Sequence, residues 1–316
     1  MRYLVTGGAG FIGSNTVDEL VRRGHDVVVL DDLSTGKASN LVAARKQINL
    51  IEDSITNLGA VRGACTNVDC VIHLAAQTSV PRSVKDPLET NLINVDGTLN
   101  VLVAARDASV RRVVFASSCA VYGGSPALPI RESAAAAPIS PYGVSKQIGE
   151  IYGRLFREMH GLEFVALRYF NVFGPRQDPA SPYSGVLSVF SAALLEGAQP
   201  TVYGDGEQSR DFVYVGDVVE ANLLAAESKQ APRHVFNVGT GRRYTLNQTL
   251  AILEKITGRP GSAKYAPTRE GDIRHSQANI SLAQEELGYQ PRFSFEEGLK
   301  RTWEWFSANQ RAASSA

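Results

Sequence analysis

Residues 1–36 read MRYLVTGGAGFIGSNTVDELVRRGHDVVVLDDLSTG, and this stretch decides the fold. Tyr3, Leu4 and Val5 form the short apolar run of a strand covered on both faces, and Gly7, Gly10 and Gly13 follow as a G-x-x-G-x-x-G turn. Phe11, Ile12, Val17, Leu20 and Val21 recur at helical spacing, and a second run, Val27 to Leu30, ends at Asp31. Strand, glycine turn, helix and strand in this order predict a βαβ unit whose turn approaches a pyrophosphate. Glycines admit the phosphates to the backbone, the helix N-terminus favours their charge, and Asp31 accepts hydrogen bonds from an adenosine ribose diol. A carboxylate there repels a 2′-phosphate, which favours NAD over NADP.

Working outward, strand and helix patterns alternate to about residue 175, which predicts an α/β doubly wound parallel sheet with its site at the carboxyl ends of the strands. Past RYFNVFGPRQDP the order loosens, while VFNVGT resembles a strand returning to the main sheet. The expected organisation is a cofactor-binding Rossmann domain over 1–175, with a returning strand near 234–240, interleaved with a smaller substrate domain over 176–316. In SFEEGLKRTWEWF, Ser294 and Glu297 form a capping box, and Phe295, Leu299, Trp303 and Phe306 form a packing stripe.

The chemistry sits in SPYGVSKQIGEIYGRLF, where Tyr142 and Lys146 stand one helical turn apart on one face. An ammonium beside a phenol stabilises the phenolate. A free tyrosine ionises near pH ~10, so operation near neutrality asks for roughly 4 kcal/mol, within reach of a neighbouring cation plus an oxidised nicotinamide. Ser118 is placed to supply a hydrogen bond to the reacting oxygen. With 11 Tyr and 8 Lys in 316 residues, chance supplies such a pair in roughly one chain of four, so the pair gains its meaning from the glycine turn.

VTGGAGFIGS, HLAAQTSVPRSV, FASSCAVYG, SPYGVSK, LRYFNVFGPRQ and DGEQSRDFVYV together resemble an extended short-chain dehydrogenase/reductase of the NAD-dependent epimerase/dehydratase family, and most closely its UDP-galactose 4-epimerase group. Related 4,6-dehydratases follow the catalytic hydroxyl residue with an acidic pair; here those positions are Cys119 and Ala120, which leaves hydride and proton transfer without elimination. The resemblance implies catalysis by Ser118, Tyr142 and Lys146 with NAD as cofactor. It assigns to the cofactor Gly7, Gly10, Phe11, Ile12, Gly13, Asp31, Asp32, Ile55, Leu74, Ala75, Ala76 and Asn94, together with Tyr142 and Lys146. Ser54 stands where relatives carry a carboxylate near the adenine. On the substrate side it implies Asn171, Arg210 and Arg269 at the diphosphate, Val186, Leu187 and Tyr203 at the uracil, and Ser79, Ser118 and Tyr142 near the sugar. Arginine suits the diphosphate because its planar fork grips phosphate oxygens in pairs. Ser276 aligns with the position beside the sugar 2-substituent, where a small residue admits an N-acetyl group. UDP-hexoses and UDP-N-acetylhexosamines are the expected substrates, with a UDP-uronate or dTDP-hexose enzyme, a reductase, and a non-catalytic NAD sensor as alternatives.

Lys+Arg and Asp+Glu are both 32, so the totals carry no electrostatic footprint for nucleic acid or an anionic membrane. Cys65, Cys70 and Cys119 lack metal spacing and suit a reducing cytoplasm; no metal is expected. The first strand begins at the N-terminus and no apolar run approaches ~18 residues, which argues against secretion or membrane insertion. Leu92, Val95, Leu99, Leu102 and Val103 make one apolar helix face, and Ile148, Ile151, Tyr152, Leu155, Phe156 and Met159 another. In relatives the matching helices pair across a homodimer.

Overall fold

The computed structural model describes residues 1–124, 127–178, 185–229, 231, 235–268 and 273–314, the last five of these by backbone alone. Strands β1 (Arg2–Thr6), β2 (Asp26–Asp31), β3 (Ile48–Glu52), β4 (Cys70–His73), β5 (Arg112–Ser118) and β6 (Glu163–Tyr169) alternate with helices α1 (Phe11–Arg22), α2 (Leu58–Ala64), α3 (Val80–Lys85), α4 (Pro87–Asn91), α5 (Gly97–Asp107) and α6 (Pro141–His160). The later chain is made of shorter pieces: β7 (Asn171–Phe173), α7 (Val186–Leu195), β8 (Thr201–Tyr203), β9 (Ser209–Arg210), β10 (Phe212–Tyr214), α8 (Val215–Glu227) and β11 (Val235–Val238). It ends with β12 (Tyr244–Thr245), α9 (Leu246–Thr257), β13 (Lys264–Ala266), α10 (Ser281–Leu287) and α11 (Phe295–Ser314).

Among the described residues the main sheet has seven strands in the order β11-β6-β5-β4-β1-β2-β3, every neighbouring pair parallel. Alternate residues of one strand feed two cores, Tyr3 and Val5 on one face and Leu4 on the other, which is why the strands read as unbroken apolar runs. The order reverses between β4 and β1, so the chain diverges to either side there and leaves a crevice at their carboxyl ends. β11 enters the sheet beside β6, with Val235 to Val238 facing Ala166 to Tyr169. The later elements also supply α8, whose C-terminal carbonyls on Ala225, Ala226 and Ser228 accept from the buried Arg112 guanidinium at 2.8, 2.9 and 2.7 Å.

α6 carries the Tyr142–Lys146 face. Ser140 caps it by accepting from Gly143 N at 3.1 Å, Pro141 opens the first turn, and Gly161 closes it at φ +72°. A Cβ on Gly149 or Gly153 would lie 2.4 Å from Phe115 or 2.1 Å from Phe164, so these glycines bring the helix flush onto β5 and β6.

The two apolar helix faces divide between core and surface: Val95, Leu102 and Phe156 are buried, Leu102 and Phe156 in the core on one side of the sheet, whereas Leu92, Ile151, Leu155 and Met159 remain exposed, joined by Val84 and Leu88 of the adjoining α3 and α4. One expectation is corrected. The capping box of α11 is half formed: Glu297 N donates to Ser294 Oγ at 3.1 Å, but the Glu297 carboxylate accepts from Arg301 at 2.8 Å. The stripe Phe295, Leu299 and Phe306 is buried, with Trp303 packed against it. No helix among the described residues is long and apolar enough to cross a membrane.

Candidate active site

The glycine turn folds back on the first turn of α1. Gly7, at φ +69°, donates to Leu30 O at 2.8 Å, and Gly10 N donates to Gly7 O at 3.1 Å. Gly10 caps α1 without a side chain and the first turn holds no acid, so the leading N–H groups of Phe11, Ile12 and Gly13 have no side-chain competitor for an anion. Asp31 ties this turn to the end of β2, accepting from Ala9 N at 2.8 Å and Leu33 N at 2.9 Å. Burial pushes its pKa up, against the pull of the Leu33, Ala9 and Gly10 amides. Asp32 is exposed, and its carboxylate accepts from the Ser34 amide at 3.0 Å and hydroxyl at 2.5 Å. Ser54 follows β3 and accepts from the Thr56 hydroxyl at 3.0 Å, keeping its own proton to donate, while Ile55 is buried against Gly97.

Leu74, Ala75 and Ala76 leave β4 against the same turn: Leu74 N donates to Thr6 O at 3.1 Å and Ala75 N to Thr6 Oγ1 at 3.3 Å. His73, the last residue of β4, is 2.7 Å from Thr6 Oγ1 through Nδ1 and 3.0 Å from Thr98 Oγ1 through Nε2. Burial first and the Lys146 charge second lower it to about 3, so it is neutral and shapes the floor of the crevice. These groups fit a dinucleotide: a cradle with no room for side chains, an uncapped helix terminus and a carboxylate one strand away.

Ser118 ends β5, and α6 lays Tyr142 and Lys146 beside it. The Lys146 ammonium, 4 % exposed, donates to Ala116 O at 2.8 Å and lies 5.8 Å from the Tyr142 ring centroid. Burial lowers it to about 8, which still leaves it charged at neutral pH. Tyr142 is pushed up to about 12 by burial, while the Ser118 hydroxyl pulls the other way. Ser118 Oγ accepts from Ala120 N at 3.1 Å and retains its proton to donate. Cys119 is held up at about 11 by burial, which keeps it a protonated thiol at neutral pH.

Asn94 sits in the π-helical stretch Leu92–Asp96, and there it acts as a fastener. Its amide spans the Gln77 backbone, accepting from N at 2.8 Å and donating to O at 2.9 Å, and donates to Ser145 Oγ at 3.0 Å. Ser145 in turn donates to Tyr142 O at 2.8 Å, so the chain after β4 is clasped to the turn that carries the tyrosine. A second clamp joins Glu150 to Arg168 at 2.7 Å with both side chains buried, and Ser117 Oγ donates to Glu150 at 2.5 Å. Gln77, Ser145, Glu150 and Arg168 were not singled out in the sequence, since each contact joins residues far apart in the chain.

Asn171 opens β7, and its side chain makes no hydrogen bond to the described residues. Arg210 lies on β9, where its guanidinium donates to Ser209 O at 3.0 Å and Arg274 O at 3.4 Å, and its charge lowers the Cys119 thiol pKa. Ser276, 7 % exposed, donates through its amide to Ser209 O at 3.0 Å and so lies on the segment next to Arg210. Tyr203 is half-buried at the end of β8. Ser79 is buried and caps α3, accepting from Arg82 N at 3.0 Å. Leu187 is committed to the core and Val186 packs against that core, so the start of α7 offers its backbone more than its side chains. Arg269 lies outside the described residues.

The sequence profile of the NAD dependent epimerase/dehydratase family matches residues 3–239. The chain belongs to that family. Its membership makes NAD the cofactor of this enzyme, in keeping with the glycine cradle and Asp31. Within the family it is 41 % identical to a UDP-glucose 4-epimerase of Mycolicibacterium smegmatis, over 97 % of this chain and 98 % of the relative. Among solved structures it is similar to a UDP-glucose 4-epimerase of Thermotoga maritima with UDP-glucose, at 42 % identity and TM-score 0.94 over 98 % of this chain and 100 % of that one. It is equally similar to a UDP-N-acetylglucosamine 4-epimerase of Methanobrevibacter ruminantium in complex with UDP-N-acetylmuramic acid, again 42 % identical with TM-score 0.94 over 98 % of each chain.

Proposed function

We propose that the protein is a UDP-hexose 4-epimerase that accepts both UDP-glucose/UDP-galactose and the N-acetylated pair. The observation that carries this reading is the meeting of Ser118, Tyr142 and Lys146 beside the glycine cradle, with Cys119 and Ala120 where an eliminating enzyme needs an acid. In this reading the cofactor half is 1–175 with the returning strand, and the substrate half is mainly 176–316.

NAD bound at the cradle supplies a reversible hydride acceptor for the sugar carbon. Tyr142 takes the proton of the 4′-hydroxyl, Ser118 donates to the same oxygen, and Lys146 balances the phenolate. The 4-keto sugar turns about its link to the diphosphate and presents its other face, and Tyr142 returns the proton. Asn171, Arg210 and Arg269 hold the UDP, so the binding energy sits away from the sugar, which must be free to turn.

Two solved relatives of equal similarity carry different sugar names, so overall likeness does not choose the sugar. Ser276 supports the broad choice, because its small side chain leaves the 2-substituent space. Purified protein given UDP-galactose or UDP-N-acetylgalactosamine, without added reductant, is expected to convert both with no net change in NADH absorbance. Ser276→Tyr is expected to lower kcat/KM for the N-acetylated substrate by on the order of 10²-fold and to change that for UDP-galactose less than about threefold. Turnover of neither sugar by NAD-loaded protein would point instead to a uronate or deoxysugar substrate.

The exposed row of Val84, Leu88, Leu92, Ile151, Leu155 and Met159 supports a homodimer, since apolar side chains in one patch favour a second copy. Leu155→Glu combined with Met159→Glu should give a monomer in sedimentation velocity; an unchanged sedimentation coefficient would remove this face from consideration. The free Cys65 and Cys70, both buried, support residence in a reducing cytoplasm.

A further inference from the structure

Asp211 is fully buried between β9 and β10, and none of its hydrogen-bond donors carries a charge. Oδ1 accepts from Thr240 N at 2.8 Å and Thr240 Oγ1 at 2.7 Å, and Oδ2 accepts from Gly241 N and Ala278 N, each at 3.0 Å. Its main-chain oxygen accepts from Asn171 N at 3.0 Å. A carboxylate offers about four acceptor sites, and here all four are filled by side-chain bonds alone. An asparagine in its place would turn an NH2 group toward donors.

The segments at Asn171, at Asp211 itself and at Ala278 each carry a group that faces the sugar nucleotide in the function proposed above, and the Thr240–Gly241 loop supplies the donors that hold them together. Asn171 is reached through the main chain, Arg210 is the preceding residue, and Ser276 stands two residues before Ala278. The loop at Gly241 is fixed further by Gln277 Nε2, which donates to Gly241 O at 2.8 Å. None of Asp211's hydrogen bonds goes to the glycine cradle or to α6. Its charge nevertheless raises the Cys119 thiol pKa.

We infer that Asp211 is the positioning residue of the substrate wall, a buried acceptor hub that sets Asn171, Arg210 and Ser276 in the register that UDP requires. This inference rests on the proposed UDP-sugar chemistry. It separates from a purely structural role because only one of the two binding events depends on it. A fold-wide defect would lower the active fraction, and with it NAD content and kcat, and would leave KM in place.

The test is calorimetric titration of NAD-loaded protein with UDP, alongside kcat and KM for UDP-galactose and the NAD content of each preparation. Asp211→Asn should weaken UDP binding and raise KM by about 10- to 100-fold, with kcat within about fivefold and NAD content unchanged. Should that variant fail to fold, Thr240→Val and Thr240→Ser decide the matter. Valine removes one donor and should weaken UDP binding by about 3- to 10-fold, whereas serine keeps the hydroxyl and should match the parent. Unchanged UDP affinity in folded Asp211→Asn or in Thr240→Val, or loss of NAD in step with UDP, overturns the inference. Failure of the parent protein to bind UDP would instead overturn the function it rests on, and the inference with it.

Discussion

Tyr142→Phe should lower kcat by about 10³-fold or more, whichever sugar nucleotide is supplied, while the purified variant keeps its NAD. The residue is half-buried and desolvation pushes its phenol up to about 12, so the side chain is a neutral acid until ligands arrive. Each pKa unit to be recovered corresponds to ~1.4 kcal/mol of differential stabilisation, which places the demand above the roughly 4 kcal/mol of an unburied tyrosine. Phenylalanine preserves the ring against which Lys146 lies and leaves the bond from Lys146 to Ala116 O intact. The change therefore removes the proton acceptor and little else. Chromatographic conversion of UDP-galactose, measured beside cofactor content, separates the outcomes; residual activity within about tenfold of the parent would show that another group takes the proton.

Gly13→Ala should yield protein that has lost its cofactor. An added Cβ would stand 2.0 Å from Gly7 O, 2.7 Å from Gly8 Cα and 2.8 Å from Gly7 C, and every one of these is backbone. No rotamer change relieves such a contact, so the turn must open, and Gly7 must give up either its bond to Leu30 O or its seat against Ala75. Overpacking of this kind costs about 1–3 kcal/mol in stability, but the loss of cradle geometry is the larger effect, and NAD content should fall more than about tenfold. Gly63→Ala is the control, since a Cβ there, in the last turn of α2, meets nothing within 4 Å. Equal NAD content in the two variants would remove the turn from the cofactor site.

The parts of this molecule that could be read from its sequence are those whose geometry is local. The glycine turn, its strand and its helix lie within the first 36 residues, and Tyr142 and Lys146 are neighbours by helical periodicity alone. The parts that could not be read are held by partners far apart in sequence: Asn94 with Gln77 and Ser145, Glu150 with Ser117 and Arg168, and Asp211 with Thr240 and Ala278. An isolated Asp or Gln carries no periodic signal, so its partners appear only once the chain is folded. The helix faces were half legible for a related reason. Apolar spacing marks what is covered without naming the cover, so Phe156, which faces the core, and Met159, which faces outward, look alike in sequence. The substrate side, with strands of two or three residues, is too short for any period to register.

The return of β11 to the edge of β6 has a bearing on synthesis. While the nascent chain emerges, the main sheet stays open along β6 until residue 235 has left the ribosome, and the Arg112 guanidinium has only the Glu163 carboxylate as partner until α8 arrives to offer its carbonyls. Residues 1–175 are thus not a module that can mature early or be cut out and transplanted. A chain arrested near residue 175 would present an unpaired parallel edge flanked by Val165 and Leu167, a template for association with other chains, and only the later segment carries β11, the strand that closes it.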